Sequence, residues 1–218
     1  MFTFVDIGDS GHHSDGGIYA NSAISKFFED GFNMPPPAKL PSSNAEVPYC
    51  IVGDNAFPLK PYLMRPFPDR GLSEDKRIFN YRLSRARRCI ENAFGILAQR
   101  WRVLRSTIMA NVETATQVVK ATVVLHNWLQ RKSLEKSVES RKYIGTYDVD
   151  YEVNGELIEG AWREEESAVL PNIRDQKFHH HHSLYARQIR ELLKDYFNSS
   201  QGQVAWQYNK VTQGTTVE

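Results

Sequence analysis

Residues 47–70, VPYCIVGDNAFPLKPYLMRPFPDR, open as a strand and stop on a carboxylate. Pro48 precedes the apolar, β-favouring run Tyr49-Cys50-Ile51-Val52, and Gly53-Asp54 ends it. Pro58, Pro61, Pro66 and Pro68 keep the next segment irregular. An acid presented at a strand end is a frequent placement for binding and catalytic groups in α/β proteins. Its meaning depends on what else in the chain could meet Asp54.

Downstream, residues 77–105 read RIFNYRLSRARRCIENAFGILAQRWRVLR. Ser73 caps a long helix whose first turn carries Glu74 and Asp75, facing the positive end of the helix dipole. Phe79, Leu83, Ala86, Ile90, Ala93, Leu97, Trp101 and Leu104 recur at three- or four-residue steps and predict one buried stripe. Beside it, Ser84, Arg88, Glu91 and Gly95 form a margin, and Gly95 leaves room for a close approach. From Lys76 to Arg105 the chain carries nine lysines and arginines and one acid, Glu91. Arg87 and Arg88, four and three residues earlier, are natural salt-bridge partners for it. Paired with Asp54, Glu91 also suits a hard divalent cation, which takes carboxylate oxygens, water and substrate phosphates. Arg85, Arg87 and Arg88 would then hold the backbone of a nucleic acid.

Upstream, Phe2-Thr3-Phe4-Val5 predicts a strand, GDSGHHSDGG a loop, and residues 15–30 one amphipathic helix. The GDSG segment lacks the upstream all-β pattern of a trypsin-like protease and reads as a turn. Asp15 either caps that helix or, with His12 and His13, contributes to a metal site. NMPPPAKLPSSN reads as a loop. Beyond the long helix, a second one over about residues 112–132 is apolar nearly all round (VVKATVVLHNWL) and is expected to be buried. Residues 135–182 read as an acidic, irregular linker with the run His179–His182, which has affinity for transition metals but no assigned role. A last amphipathic helix carries Leu184, Ile189, Leu192, Leu193, Tyr196 and Phe197, followed by a frayed polar tail. Residues 1–134, 135–182 and 183–218 thus read as a first, α/β domain, an acidic linker and a C-terminal helix with its tail.

The net charge of +1 points to no partner, since the basic helix is offset by the acidic linker. Two cysteines, Cys50 and Cys89, sit in apolar patterns and form no disulfide framework, as in a reducing compartment. With no secretory or membrane-spanning pattern, a nuclear or cytosolic location is expected.

VGDNAFPLKPYLMRPFPD, FNYRLSRARRCIENAFGILAQRWRVLR and VLHNWL together resemble the DDE nuclease domain of PIF/Harbinger transposases and their domesticated derivatives. FVDIGDSGHHSDGGIYANSAI is similar to the segment just upstream in that family. The resemblance implies an α/β, RNase H-like mixed sheet flanked by helices, lacking its first strands here and carrying an extra C-terminal helix. It implies cleavage of DNA with Mg²⁺ or Mn²⁺ as cofactor, nuclear residence, and Asp54 and Glu91 as catalytic metal ligands. Asp15 matches a further acidic position of the family, which brings its metal reading level with the capping one. The family's first acid lies on an earlier strand that this chain does not contain, and Asp6 does not replace it, because two strands should separate the first and second acids. Weak cleavage is therefore expected of this chain. The competing reading is a non-catalytic DNA-binding or adaptor protein, and a separate DNA-binding protein partner fits either.

Overall fold

The computed structural model describes residues 1–8, 15–30, 34–68, 71–164 and 183–213. They divide into two compact units, Met1–Ser10 with Arg88–Asn172, and Gly11–Arg87 with Ile173–Glu218. The division falls inside the longest helix, α3 (Glu74–Arg100).

In the second of these units, the stretch predicted as one helix is two: α1 (Asp15–Asn21) and α2 (Ala23–Glu29). Ser22 breaks it by turning its hydroxyl to both sides, donating to the Tyr19 carbonyl (2.7 Å) and accepting from the Ser25 amide (3.1 Å). A serine so used competes with the helix ladder and caps the next segment instead. The proline-rich stretch carries a short antiparallel pair, β1 (Ala38–Lys39) with β2 (Glu46–Val47). The strand ending near Asp54 is present as β3 (Ile51–Val52). It pairs in parallel with β4 (Leu63–Met64), which lies in the segment expected to be irregular. The prolines of that segment flank β4 rather than interrupt it.

Val47, Leu59, Met64, Phe67, Phe79 and Leu83 form the core of this unit with Ala186, Ile189 and Leu193 of α5 (Leu184–Asn198). Ser183 caps α5 by accepting from the Ala186 amide, as its serine at a helix start suggests. Lys194 of α5 pairs with Asp75 at 2.9 Å, and Asn198 donates to the Asp75 carbonyl. The Ser73 hydroxyl, predicted to cap α3, donates to the Asp75 carboxylate. That bond, then Lys194, takes the Asp75 carboxyl down to about 2. The polar tail is not frayed up to Gln213: it forms α6 (Gln207–Gln213). Gln207 is fully buried, accepting from Val204 N–H and Arg82 and donating to the Phe197 carbonyl. Polar composition misled here because each polar atom of that side chain finds a partner.

In the first unit, Phe2–Val5 is not a strand. Its ladder is replaced by one side chain: Asn127 of α4 (Val112–Leu134) accepts from the Phe2 amide and donates to the Phe2 carbonyl, both at 2.8 Å. The Phe2 ring lies 5.5 Å from both Phe94 and His126. His126 is buried with Nδ1 3.0 Å from the Tyr143 hydroxyl. Residues 126 and 127 of VLHNWL are thus an anchoring pair. The rest of α4 departs from expectation, since Val124, Leu125 and Trp128 are exposed. Ile90 and Ala86, placed on the buried stripe of α3, are not buried, while Ile96 and Leu97 are.

The acidic segment is also more ordered than its composition suggests. β5 (Tyr151–Val153) and β6 (Glu156–Ile158) form an antiparallel hairpin. Its two turn residues, Asn154 and Gly155, have φ of 50° and 87°, the pair of positive values that a tight hairpin turn requires. Asn92 fixes this hairpin to α3, taking the Asp150 amide (2.9 Å) and giving to the Asp150 carbonyl (3.0 Å). Its Oδ1 also accepts from Trp162 Nε1. The close approach expected at Gly95 is made by the Trp162 ring: a Cβ there would lie 2.2 Å from it. Burial alone would raise the Asp150 carboxyl, but the bond from Arg163 and the Gly160 N–H, with the fields of Arg163 and Arg88, bring it below its usual value.

Candidate functional site

Asp54 is set by backbone on both sides. The Ile51 amide donates to Tyr62 O and the Gly53 amide to Met64 O, which holds the end of β3 against β4. A Cβ on Gly53 would come within 3.0 Å of Phe57, so the turn closes tightly there. Asp54 Oδ1 then accepts from the Ala56 amide at 2.9 Å, an Asx turn. Arg65, just after β4, ties the same turn by donating to the Asn55 and Phe57 carbonyls. One carboxylate oxygen is thereby oriented. The other, Oδ2, lies 3.8 Å from Arg87, and the side chain is about one-third exposed. At that length and exposure the contact is a loose, solvent-screened one.

Glu91 lies on α3, half-buried, on the face that also carries Arg88, Asn92 and Gly95. Its field, behind the nearer Asp150, helps hold Arg163 in its charged form. Asp15 stands exposed in the first turn of α1, at the positive end of that helix. Asp15 and Asp54 belong to one unit and Glu91 to the other. Among the described residues no three His, Cys, Asp or Glu side chains are grouped to hold a metal. His12, His13 and His179–His182 lie outside the described residues.

The three arginines singled out from sequence have partners within the protein. Arg85 lies over the Trp206 ring (5.4 Å), Arg87 faces Asp54, and Arg88 pairs at 3.0 Å with the nearly buried Glu152. Arg100 meets Asp148 in the same way. Sequence reasoning passed over Arg65, whose proline-rich context hid its grip on the Asp54 turn. It also passed over Asn92, whose partners lie 58 and 70 residues away.

The family model described as DDE superfamily endonuclease matches residues 1–127. That stretch contains Asp15, Asp54, Arg85, Arg87, Arg88 and Glu91, while the hairpin, α5 and α6 lie beyond it. A protein described as "Protein ALP1-like" from Arabidopsis thaliana is 31% identical over 128 residues, covering 57% of this chain and 31% of that protein. The chain thus spans about a third of the length of the curated relative it matches. No solved structure matches. No helix among the described residues is long and apolar enough to cross a membrane.

Proposed function

Because the chain belongs to the DDE superfamily endonucleases, we propose that it is built for divalent-metal-dependent hydrolysis of phosphodiester bonds in DNA. Asp54 and Glu91, with Asp15, are the metal ligands in this reading. The observation that supports it best is the state of Asp54. Its Oδ1 is oriented by a backbone amide, and among the described residues its Oδ2 meets nothing closer than a loose arginine contact. A purely structural carboxylate would have both oxygens committed, as Asp150 does.

Carboxylate oxygens such as those of Asp54 and Glu91 are the hard ligands that Mg²⁺ and Mn²⁺ take. When bound, such an ion lowers the pKa of a coordinated water and stabilises the charge on the leaving oxygen. The chain's own residues do the rest. Asp54 and Glu91 supply negative charge and fix position. Arg87, facing Asp54 at 3.8 Å, is the arginine that would meet a phosphate brought to that carboxylate. Arg88 and Arg85 reach the strand only by giving up Glu152 and Trp206, so contact with DNA competes with internal pairing. A nuclear location and a separate DNA-binding protein partner accord with a nuclease that lacks strong sequence preference of its own.

Nicking of supercoiled plasmid with Mg²⁺ or Mn²⁺ tests the proposal. Slow, metal-dependent nicking is expected, with Asp54→Asn and Glu91→Gln each reducing it at least tenfold. Equal activity in either variant removes that residue from the mechanism.

A further inference from the structure

Residues 54–57 form a turn closed by the Phe57 amide on the Asp54 carbonyl. Its central peptide joins Asn55 to Ala56, and both ends of that one peptide are engaged. The N–H, on Ala56, donates to Asp54 Oδ1 at 2.9 Å; the C=O, on Asn55, accepts from Arg65 Nη1 at 3.2 Å. The same Nη1 donates to the Phe57 carbonyl at 3.0 Å, so one nitrogen holds the turn at two points. Arg65 forms no ion pair among the described residues. Its polar contacts are with the turn, not with an acid.

A peptide group is planar, and its C=O and N–H point in opposite directions. Fixing the Asn55 carbonyl therefore fixes the direction of the Ala56 N–H. The common turn types differ by a flip of this central peptide, and the flipped form would aim a carbonyl where the N–H now points. Two acceptors do not bond, so Asp54 Oδ1 would lose its orientation. Ala56 opposes the flip because the flipped turn needs a positive φ there; Arg65 opposes it by holding the carbonyl. A charged donor on the C=O also polarises the peptide and strengthens its N–H as a donor. Burial lowers the Arg65 pKa from its ordinary value yet leaves the group charged. Phe57 fills the space that a Cβ on Gly53 would need, and the buried Tyr19 of α1 meets its ring at 5.5 Å, edge to face. The turn is thus backed by packing on one side and tied by Arg65 through its carbonyls.

From this arrangement we infer that Arg65 is a positioning residue for Asp54, acting through the 55–56 peptide to hold Oδ1 and present Oδ2 to a divalent cation. The inference rests on the proposed role of Asp54 as a metal ligand and deepens it, since a cation outside the acid set governs how that acid is presented. Groups that orient a metal ligand commonly set metal affinity without touching the ion.

The test uses the full chain and two readouts. Without metal, the Ala56 amide is followed by proton–nitrogen NMR; with Mn²⁺ alone, binding is measured by electron paramagnetic resonance. Arg65→Met keeps the stem and removes both bonds. The Ala56 proton should move upfield and its exchange with solvent should quicken about tenfold, as the weakening of one hydrogen bond implies. Mn²⁺ affinity should fall about 10–100-fold, the usual effect of removing a group that orients a ligand. Arg65→Lys should recover part of both, and Arg65→Gln serves in place of Arg65→Met if the latter does not fold. In an Asp54→Ala background Arg65→Met should leave the residual Mn²⁺ affinity unchanged, because its effect passes through that carboxylate; a merely structural role would lower affinity there as well. If Asp54→Ala weakens Mn²⁺ binding and Arg65→Met does not, or if the Ala56 amide is unmoved in Arg65→Met, the proposal alone is overturned. If Asp54→Ala leaves Mn²⁺ binding unchanged, Asp54 is no ligand, and the nuclease reading falls together with the proposal that rests on it.

Discussion

Gly95→Ala is expected to destabilise the hairpin side of α3, against the ordinary helical preference for alanine. On an open helix the change favours folding by about 1 kcal/mol. Here the added Cβ would lie 2.2 and 2.3 Å from Trp162 Cε3 and Cδ2, whereas carbon pairs settle at about 3.5–4.0 Å. The ring must therefore retreat by more than an ångström. That breaks the 2.9 Å bond from Trp162 Nε1 to Asn92 and loosens the stack with Arg163, 4.3 Å away. Overpacking and the lost hydrogen bond together cost about 2–3 kcal/mol, leaving a net loss of about 1–2 kcal/mol. Urea denaturation gives the total, and amide exchange at Asp150, whose N–H is held by Asn92, reports the local release. In a Trp162→Ala background the clash is gone, so Gly95→Ala should become stabilising by about 1 kcal/mol, a coupling of about 2–3 kcal/mol. A stabilising Gly95→Ala in both backgrounds would refute the packing argument.

Burial, aided by the positive N-terminus, pushes His126 down to about 4. The unfolded chain therefore takes up a proton that the folded one refuses between about pH 6.5 and 4. Stability should be full above that window and fall by about 3 kcal/mol across it as pH drops; urea midpoints of wild type and His126→Gln at several pH values should converge at low pH. Gln207→Leu leaves Arg82, the Val204 amide and the Phe197 carbonyl each short of a partner. It should lower stability by about 2–3 kcal/mol in urea, whereas a frayed tail would show no change.

What was legible in the sequence was local or strongly periodic. α3 begins where Ser73 and two acids announce it, and the GD strand ends where Gly53 breaks it. Asn154-Gly155 is a hairpin-turn signal that the reading of residues 135–182 as an acidic linker did not take up. Phe2–Val5 has the residue types of a strand and lacks the strand's requirement, a neighbouring ladder; Asn127, 125 residues away, supplies the two bonds instead. The exposure of Ile90 and the covering of Gly95 by Trp162 both depend on which segment docks on α3, and periodicity cannot identify the docking partner. Asp54 and Glu91 stood out as isolated acids in basic or apolar surroundings. Arg65 did not, because the carbonyls it holds lie eight and ten residues earlier in a proline-rich stretch.

The central claim is that Asp54, with one carboxylate oxygen oriented by the Ala56 amide, is a ligand of a divalent cation. Loading the chain with Fe²⁺ in place of Mg²⁺ and adding ascorbate and peroxide cleaves the backbone next to the bound ion, and mass spectrometry locates the cuts. Cuts near residue 54 are expected, suppressed by excess Mg²⁺ and by Asp54→Asn. No cuts near residue 54, or cuts there that persist in Asp54→Asn, would contradict it.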